Sequence, residues 1–279
     1  MTTPVLELCD LSAGYGDVAI VRDFSARLHA GTITTLIGGN GAGKSTLLRA
    51  IYGTCHYLSG RIVFAGEAVE GLRPWQRLAR GISFVPQGRC NFPFMTVAEN
   101  LKMGCHTLAS AKHKPAIERV TALFPLLRAK WRVRAGNLSG GEQQVLEMAM
   151  VQLVAPSLLL LDEPSLGLSP KMQADVFATI EKVAHTGVTV LVVEQNVRGA
   201  LLISDRALVM ERGRKVLDGP AAEAIEVFAA PTSAATSSRR RHRQGTRRRR
   251  CRRSPSPHAD GCSKEGAVQA KNDEDEPCE

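Results

Sequence analysis

The chain has 279 residues, 44% of them hydrophobic and 23% charged, with a formal net charge of +9. Those proportions exclude a collagen-like, disulfide-dense or wholly disordered protein and leave a globular fold of one large or two small domains. The charge is unevenly placed: residues 229–279 carry twelve Lys/Arg and seven Asp/Glu, a net +5, while residues 1–228 carry only +4, so more than half of the excess sits in the last fifth of the chain.

Seven cysteines, at 9, 55, 90, 105, 251, 262 and 278, show no metal-ligand spacing, and free thiols of a reducing compartment are the expectation. Residues 1–11 include Glu7 and Asp10 and no apolar run, so no signal peptide is expected. No stretch approaches the roughly 20 apolar residues of a membrane helix. If this protein works at a membrane, another chain must cross it.

In chain order, residues 5–9 and parts of 20–36 alternate in polarity and predict half-exposed strands. Gly14-Tyr15-Gly16 lies between them, where an aromatic flanked by glycines suits either a stacking platform or a buried turn tyrosine. Residues 32–37 are a β-branched run that feeds Gly38, Gly39, Asn40, Gly41, Ala42, Gly43, Lys44, Ser45 and Thr46, and Lys44–Tyr52 then predicts a helix. Ile82–Val85, 158–161 and 188–193 are continuously apolar, as strands buried on both faces of a parallel sheet must be. Helical patterns at 116–128, 141–154, 170–185 and 196–203 flank them, and 207–210 with 215–217 predict a hairpin. After residue 228 ten arginines fall within 239–253 and an acidic end follows; with so few apolar side chains, 229–279 is expected to be a disordered tail.

The run 38–45 fits G-x-x-x-x-G-K-[ST], and its strand–loop–helix context is the one a phosphate-binding loop requires. Glycines let backbone N–H groups converge on phosphate oxygens, Lys44 adds a cation, Ser45 offers a hydroxyl to Mg²⁺, and the helix dipole favours the anion. Asp162 ends a buried strand, where it could hold Mg²⁺, and Glu163 follows as a candidate general base or water-orienting group. Ser139, Gly140 and Gly141 open the helix at 141–154 and form a second anion site. Gln87 ends the strand at 82–85. Phe92, Pro93, Phe94, Met95 and Val97 follow it, either as a surface loop that docks a partner helix or as packing beneath neighbouring helices.

Taken together, the loop at 38–46, Leu138-Ser139-Gly140-Gly141-Glu142-Gln143 and the strand ending in Asp162-Glu163 resemble the ATP-binding-cassette (ABC) ATPases over about residues 4–227. The resemblance implies an α/β fold with a mainly parallel core sheet, an antiparallel β subdomain and a helical subdomain at about 90–155. The ATPase domain would be 1–228. It implies ATP and Mg²⁺ as cofactors, with Tyr15 stacking on adenine and residues 38–46 on the phosphates. Ser45, Gln87 and Asp162 would serve the metal. Ser139–Gly141 would serve the nucleotide of a second cassette, and Ser165-Leu166-Gly167-Leu168 would touch that subunit. Catalysis would fall to Glu163, Gln87 and Gln195. Two departures stand out: Gly39 replaces a frequent proline, and Gln195 occupies a position where most cassettes carry histidine. Glu194-Gln195-Asn196, with 165–168 and Pro86-Gln87-Gly88-Arg89, resembles the LivF-type subunits of branched-chain amino acid and amide importers.

That likeness implies a peripheral protein on the inner face of the cell membrane, bound to two membrane-spanning permeases. A second cassette is expected, a heterodimer favoured over a homodimer, with a periplasmic or extracellular solute-binding protein acting indirectly. The alternative is a non-transport ABC ATPase acting on ribosomes or nucleic acid through the arginine tail. That tail lacks interleaved aromatics for base stacking, so nucleic acid is the weaker partner; contact with anionic lipid, or no specific role, is the other reading.

Overall fold

The computed structural model describes residues 4–229, with side chains through Glu226. The arginine-rich tail predicted to be disordered lies outside the described residues. A four-stranded antiparallel sheet contains β1 (Pro4–Tyr15), β2 (Val18–His29) and, further along, β4 (His56–Phe64) and β5 (Glu67–Ala68), in the order β2-β1-β4-β5. Between β2 and β4 the chain makes β3 (Ile33–Ile37) and α1 (Lys44–Tyr52). After β5 come α2 (Pro74–Ala79), β6 (Ile82–Val85), α3 (Val97–Gly104), α4 (Ser110–Leu123), α5 (Pro125–Ala129) and α6 (Gly140–Gln152). The remainder alternates: β7 (Leu158–Asp162), α7 (Pro170–Ala184), β8 (Thr189–Val193), α8 (Val197–Leu202), β9 (Arg206–Glu211), β10 (Arg214–Pro220) and α9 (Ala221–Ala229).

The second sheet has the order β10-β9-β3-β8-β7-β6, parallel except for the antiparallel edge strand β10. Its central strands are buried on both faces, which is why they read as unbroken apolar runs. Period-two geometry divides them between two cores. Leu158, Leu160, Leu191 and Val193 pack with Leu47, Leu48 and Ile51 of α1 and with the inner face of the antiparallel sheet. Leu159, Leu161, Val190 and Val192 pack instead with α7 and with helices α3–α6. The β9–β10 hairpin turns through Arg212 and Gly213, both at positive φ, the geometry that follows strand twist in a tight hairpin.

Three expectations change. The helix predicted at 116–128 starts earlier, at Ser110, and breaks at Phe124 (φ −122°, ψ 74°), because Pro125 disfavours helical geometry in the residue before it. Segment 92–97 divides: Phe92, Pro93 and Phe94 are exposed, whereas Val97 is buried as the first residue of α3. Strand β1 runs well past residue 9 and carries Tyr15 at its end. Register shifts interrupt it, and Asp10 there has φ 47°. The elements β4, β5, α2 and α3 lay outside the sequence reading altogether.

Candidate functional site

Parallel strands place their carboxyl ends on one edge of the sheet, and ligands of open α/β sheets bind outside that edge. Here four adjacent ends supply the predicted motifs. The loop 38–43 leaves β3, Glu194 and Gln195 leave β8, Asp162 and Glu163 close β7, and Gln87 follows β6. Neighbouring strands lie about 4.8 Å apart, so side chains far apart in sequence converge within hydrogen-bond reach.

In the loop, Gly41 (φ 77°) and Gly43 (φ 103°) hold left-handed conformations, and a Cβ on Gly38 would lie 2.3 Å from the Met210 carbonyl oxygen. Gly39 differs: its φ is not positive and an added Cβ would meet nothing within 4 Å, so a larger residue is accommodated there. Asn40 is exposed, Ala42 is buried, and the Ala42 N–H donates to the Gly39 carbonyl. Helix α1 starts at Gly43 without a side-chain cap or an acidic residue in its first turn. Its leading N–H groups therefore face the loop, where an anion would satisfy them. Lys44, 6% exposed, donates from Nζ to the carbonyls of Gly38 (2.8 Å) and Gly39 (3.1 Å).

Ser45 Oγ donates to Asp162 Oδ1 at 2.9 Å. Asp162 is 2% exposed and its Oδ2 has no hydrogen-bond partner. Burial pushes its carboxyl above the ordinary aspartate value, opposed by the Ser45 hydroxyl and reinforced by the charge of Glu163. A buried carboxylate oxygen without a partner beside a serine hydroxyl fits a divalent cation, which would both pair the charge and satisfy the oxygen. Glu163 stands at φ 52°, an uncommon conformation for a residue with a side chain. Its N–H donates to the Val193 carbonyl, and its Oε2 accepts from Gln87 Nε2 (3.0 Å) and Gln195 Nε2 (2.8 Å). The structure thus gathers Ser45, Gln87, Asp162, Glu163 and Gln195.

Tyr15 is 47% exposed rather than buried in its turn, and its hydroxyl accepts from Arg49 of α1 at 2.8 Å. Thr46 is buried in α1. Ser139 caps α6: its Oγ accepts from the Glu142 N–H, and the Glu142 carboxylate accepts from the Ser139 N–H and from Lys130. Gly140 and Gly141 lie against Leu168 and Met172, not against the phosphate loop of the same chain.

Two carboxylates were given no role in the sequence reading, although one of them, Glu194, stands in the quoted Glu194-Gln195-Asn196 motif. Glu194, 2% exposed, accepts from the Ser165 N–H and Oγ (each 2.8 Å) and from the Gln195 N–H. Burial pushes its carboxyl up, and these donors oppose the rise. It fixes the turn after Glu163 to the end of β8; its position directly after a buried strand was the available signal. The other, Glu147, lies inside α6 among apolar neighbours, and no motif marks it.

A phosphate loop on a parallel sheet, an uncapped helix start above it and a strand-end carboxylate prepared for a cation define a nucleoside-triphosphate enzyme. The sequence matches the ABC transporter family over residues 21–166. Over 213 residues it is 43% identical to the high-affinity branched-chain amino acid transport ATP-binding protein BraG of Pseudomonas aeruginosa, covering 76% of this chain and 91% of that protein. It is 40% identical over 223 residues to the probable branched-chain amino acid transport ATP-binding protein LivF of Archaeoglobus fulgidus, covering 80% and 94% respectively. A solved ATP-binding cassette of an ABC transporter superposes with a TM-score of 0.75 at 25% identity, over 82% of this chain and 97% of that one. The chain belongs to the ABC transporter ATP-binding family; it is an ATPase that uses ATP with Mg²⁺.

Proposed function

We propose that this chain is the ATP-hydrolysing subunit that energises import of branched-chain amino acids or similar small polar solutes through a membrane-spanning permease pair. The observation that carries the catalytic part is the Glu163 carboxylate, held by the amides of Gln87 and Gln195 one residue after the Asp162–Ser45 pair. On this reading residues 38–46 bind the phosphates, with Lys44 exchanging the Gly38 and Gly39 carbonyls for phosphate oxygens. Ser45, Asp162 and Gln87 serve Mg²⁺, Glu163 orients or deprotonates water, and Tyr15 stacks on adenine. Ser139, Gly140 and Gly141 serve the nucleotide of a second cassette, so neither subunit alone has a complete site. The cargo class rests on what BraG and LivF are named for.

No helix among the described residues is long and apolar enough to cross a membrane. In this proposal the permeases supply that function, and the chain sits against them on the inner face of the membrane. Their docking site is a groove of about 360 Å³ whose lining includes Tyr52, Leu78, Phe92, Met103, Met150 and Val154. Phe92 and Met103 are both more than 40% exposed there. Gln195 carries no charge, and a partner cassette with histidine at the matching position would complement it; this favours a heterodimer. The solute-binding protein outside the membrane acts only through the permeases.

The test is capture of Glu163→Gln with ATP from detergent-solubilised native membranes, followed by mass spectrometry. Two polytopic permeases and a second cassette are the expected companions. Ribosomal or nucleic-acid-binding proteins, lost on removal of 239–253, would overturn the importer assignment.

A further inference from the structure

Helix α6 begins at the Ser139 turn and presents Glu147, Met150 and Val151 at spacings of three and four residues, one face of a helix, and Val154 follows just beyond its end. The last three line the groove beside β6, together with Cys90 and Phe92 from the segment after Gln87. Glu147 interrupts this apolar face with a carboxylate that is 3% exposed. Burying a carboxylate is costly unless its oxygens are satisfied, so its partners indicate what it is there to hold. Its Oε1 accepts from the Cys90 N–H at 2.8 Å and from Asn91 Nδ2 at 2.7 Å. Its Oε2 has no partner. On the far side of the same segment, Asn100 of α3 accepts from the Phe92 N–H at 2.8 Å and donates to the Phe92 carbonyl at 3.1 Å. Residues 90–92 are therefore gripped from α6 and from α3, three to five residues beyond Gln87.

We propose that Glu147 is a positioning residue that ties the Gln87 segment to helix α6, so that Gln87 and the Ser139–Gly141 turn move together when the groove is loaded. The turn lies about 10 Å along the helix from Glu147, at a rise of about 1.5 Å per residue. Displacing Phe92 or Cys90 in the groove wall pulls on Glu147 through two hydrogen bonds, and α6 carries the displacement to its first turn. Released from Glu147, the segment keeps its α3 anchor but lets Gln87 wander from Glu163. This inference rests on the roles proposed above for Gln87 and the Ser139 turn.

The test uses the full chain: steady-state ATP hydrolysis beside equilibrium ATP binding, for Glu147→Ala, Glu147→Gln, Asn91→Ala, Gln87→Ala and the Glu147→Ala/Asn91→Ala pair. Glu147→Ala is expected to lower kcat roughly 10-fold or more while ATP affinity stays within about twofold, the signature of lost positioning rather than lost binding. Glu147→Gln keeps the accepting oxygen and is expected to restore turnover. The double variant is expected to be no slower than the worse single variant, because both remove one link. Should Glu147→Ala not fold, Asn91→Ala reads the same link from its other end. Wild-type turnover in Glu147→Ala and Asn91→Ala beside a slow Gln87→Ala would overturn this inference alone, as would losses that multiply in the double variant. Wild-type turnover in Gln87→Ala would overturn it together with the proposed role of Gln87.

Discussion

At the scale of single residues, the site turns on a carboxylate whose environment is built from amides. Glu163 is held by the amides of Gln87 and Gln195 and, among the described residues, forms no ion pair, so its carboxylate keeps acceptor capacity toward water. Glu163→Gln is expected to bind ATP and to lose roughly 10²–10⁴-fold in turnover, the usual worth of a general base, read as phosphate release beside nucleotide affinity. Gln195 reaches the same oxygen, and a histidine there could donate the same bond while gaining a charge. Gln195→His is therefore expected to raise or leave unchanged the ATPase rate of an isolated homodimer of this chain. A collapse of that rate would assign the amide a role that imidazole cannot fill.

At the scale of elements, the arrangement depends on how helices end. Helix α1 starts uncapped beneath the phosphate loop, and its far end is closed by Arg77, which is 2% exposed. The guanidinium donates to the carbonyls of Ala50 and Ile51 at the end of α1 (both 2.7 Å) and to those of Leu72 and Glu70. Arg77→Ala would remove a donor from all four carbonyls, leaving that of Ala50 only its bond from the Gly53 N–H, and is expected to cost about 3–5 kcal/mol, measured by denaturant unfolding. Arg77→Lys is expected to recover only part of this, since one ammonium cannot reproduce the planar fork. Strands β3, β6, β7 and β8 were legible because burial on both faces forces unbroken apolar runs. Helices α2 and α3, of six and eight residues, were not. Thr96 and Glu99 did carry the capping-box pattern, with Glu99 N–H donating to Thr96 Oγ1 and Thr96 N–H donating to Glu99. That signal lay inside a segment read for its exposed aromatics instead.

For the whole molecule, the fold carries a cost at the buried Asp162 carboxylate that, on its proposed role, Mg²⁺ and ATP would relieve. Its carboxyl titrates above the ordinary value when folded, so the unfolded chain gives up that proton first as pH rises. Stability is thus lost as pH climbs from the ordinary aspartate value through the raised one, and the loss persists above it. Without nucleotide, Asp162→Asn is expected to melt higher than wild type, by an amount that is negligible in acid and grows through that window. For a domain of this size each kcal/mol is about 2–4 °C in Tm. With Mg²⁺ and ATP the order is expected to reverse, since ligand at ~100 times its Kd adds about 2.7 kcal/mol only to the form that binds it. Thermal unfolding across pH, with and without Mg·ATP, reads both arms.

The sequence by itself determined the class of protein: a glycine loop with Lys44 and Ser45, Asp162-Glu163 at the end of an apolar strand, and the Ser139 turn are local patterns, and local chemistry is what a sequence displays. It also exposed Gln195, because one residue out of pattern is visible wherever a pattern is. Only the tertiary structure decided which of these groups touch, since strand order sets which carboxyl ends are neighbours and sequence distance does not. The same holds for Glu147, Glu194 and Arg77. Each is a charged side chain whose sequence neighbours assign it no role, and each acquires one from partners 26 to 57 residues away that burial compels it to find.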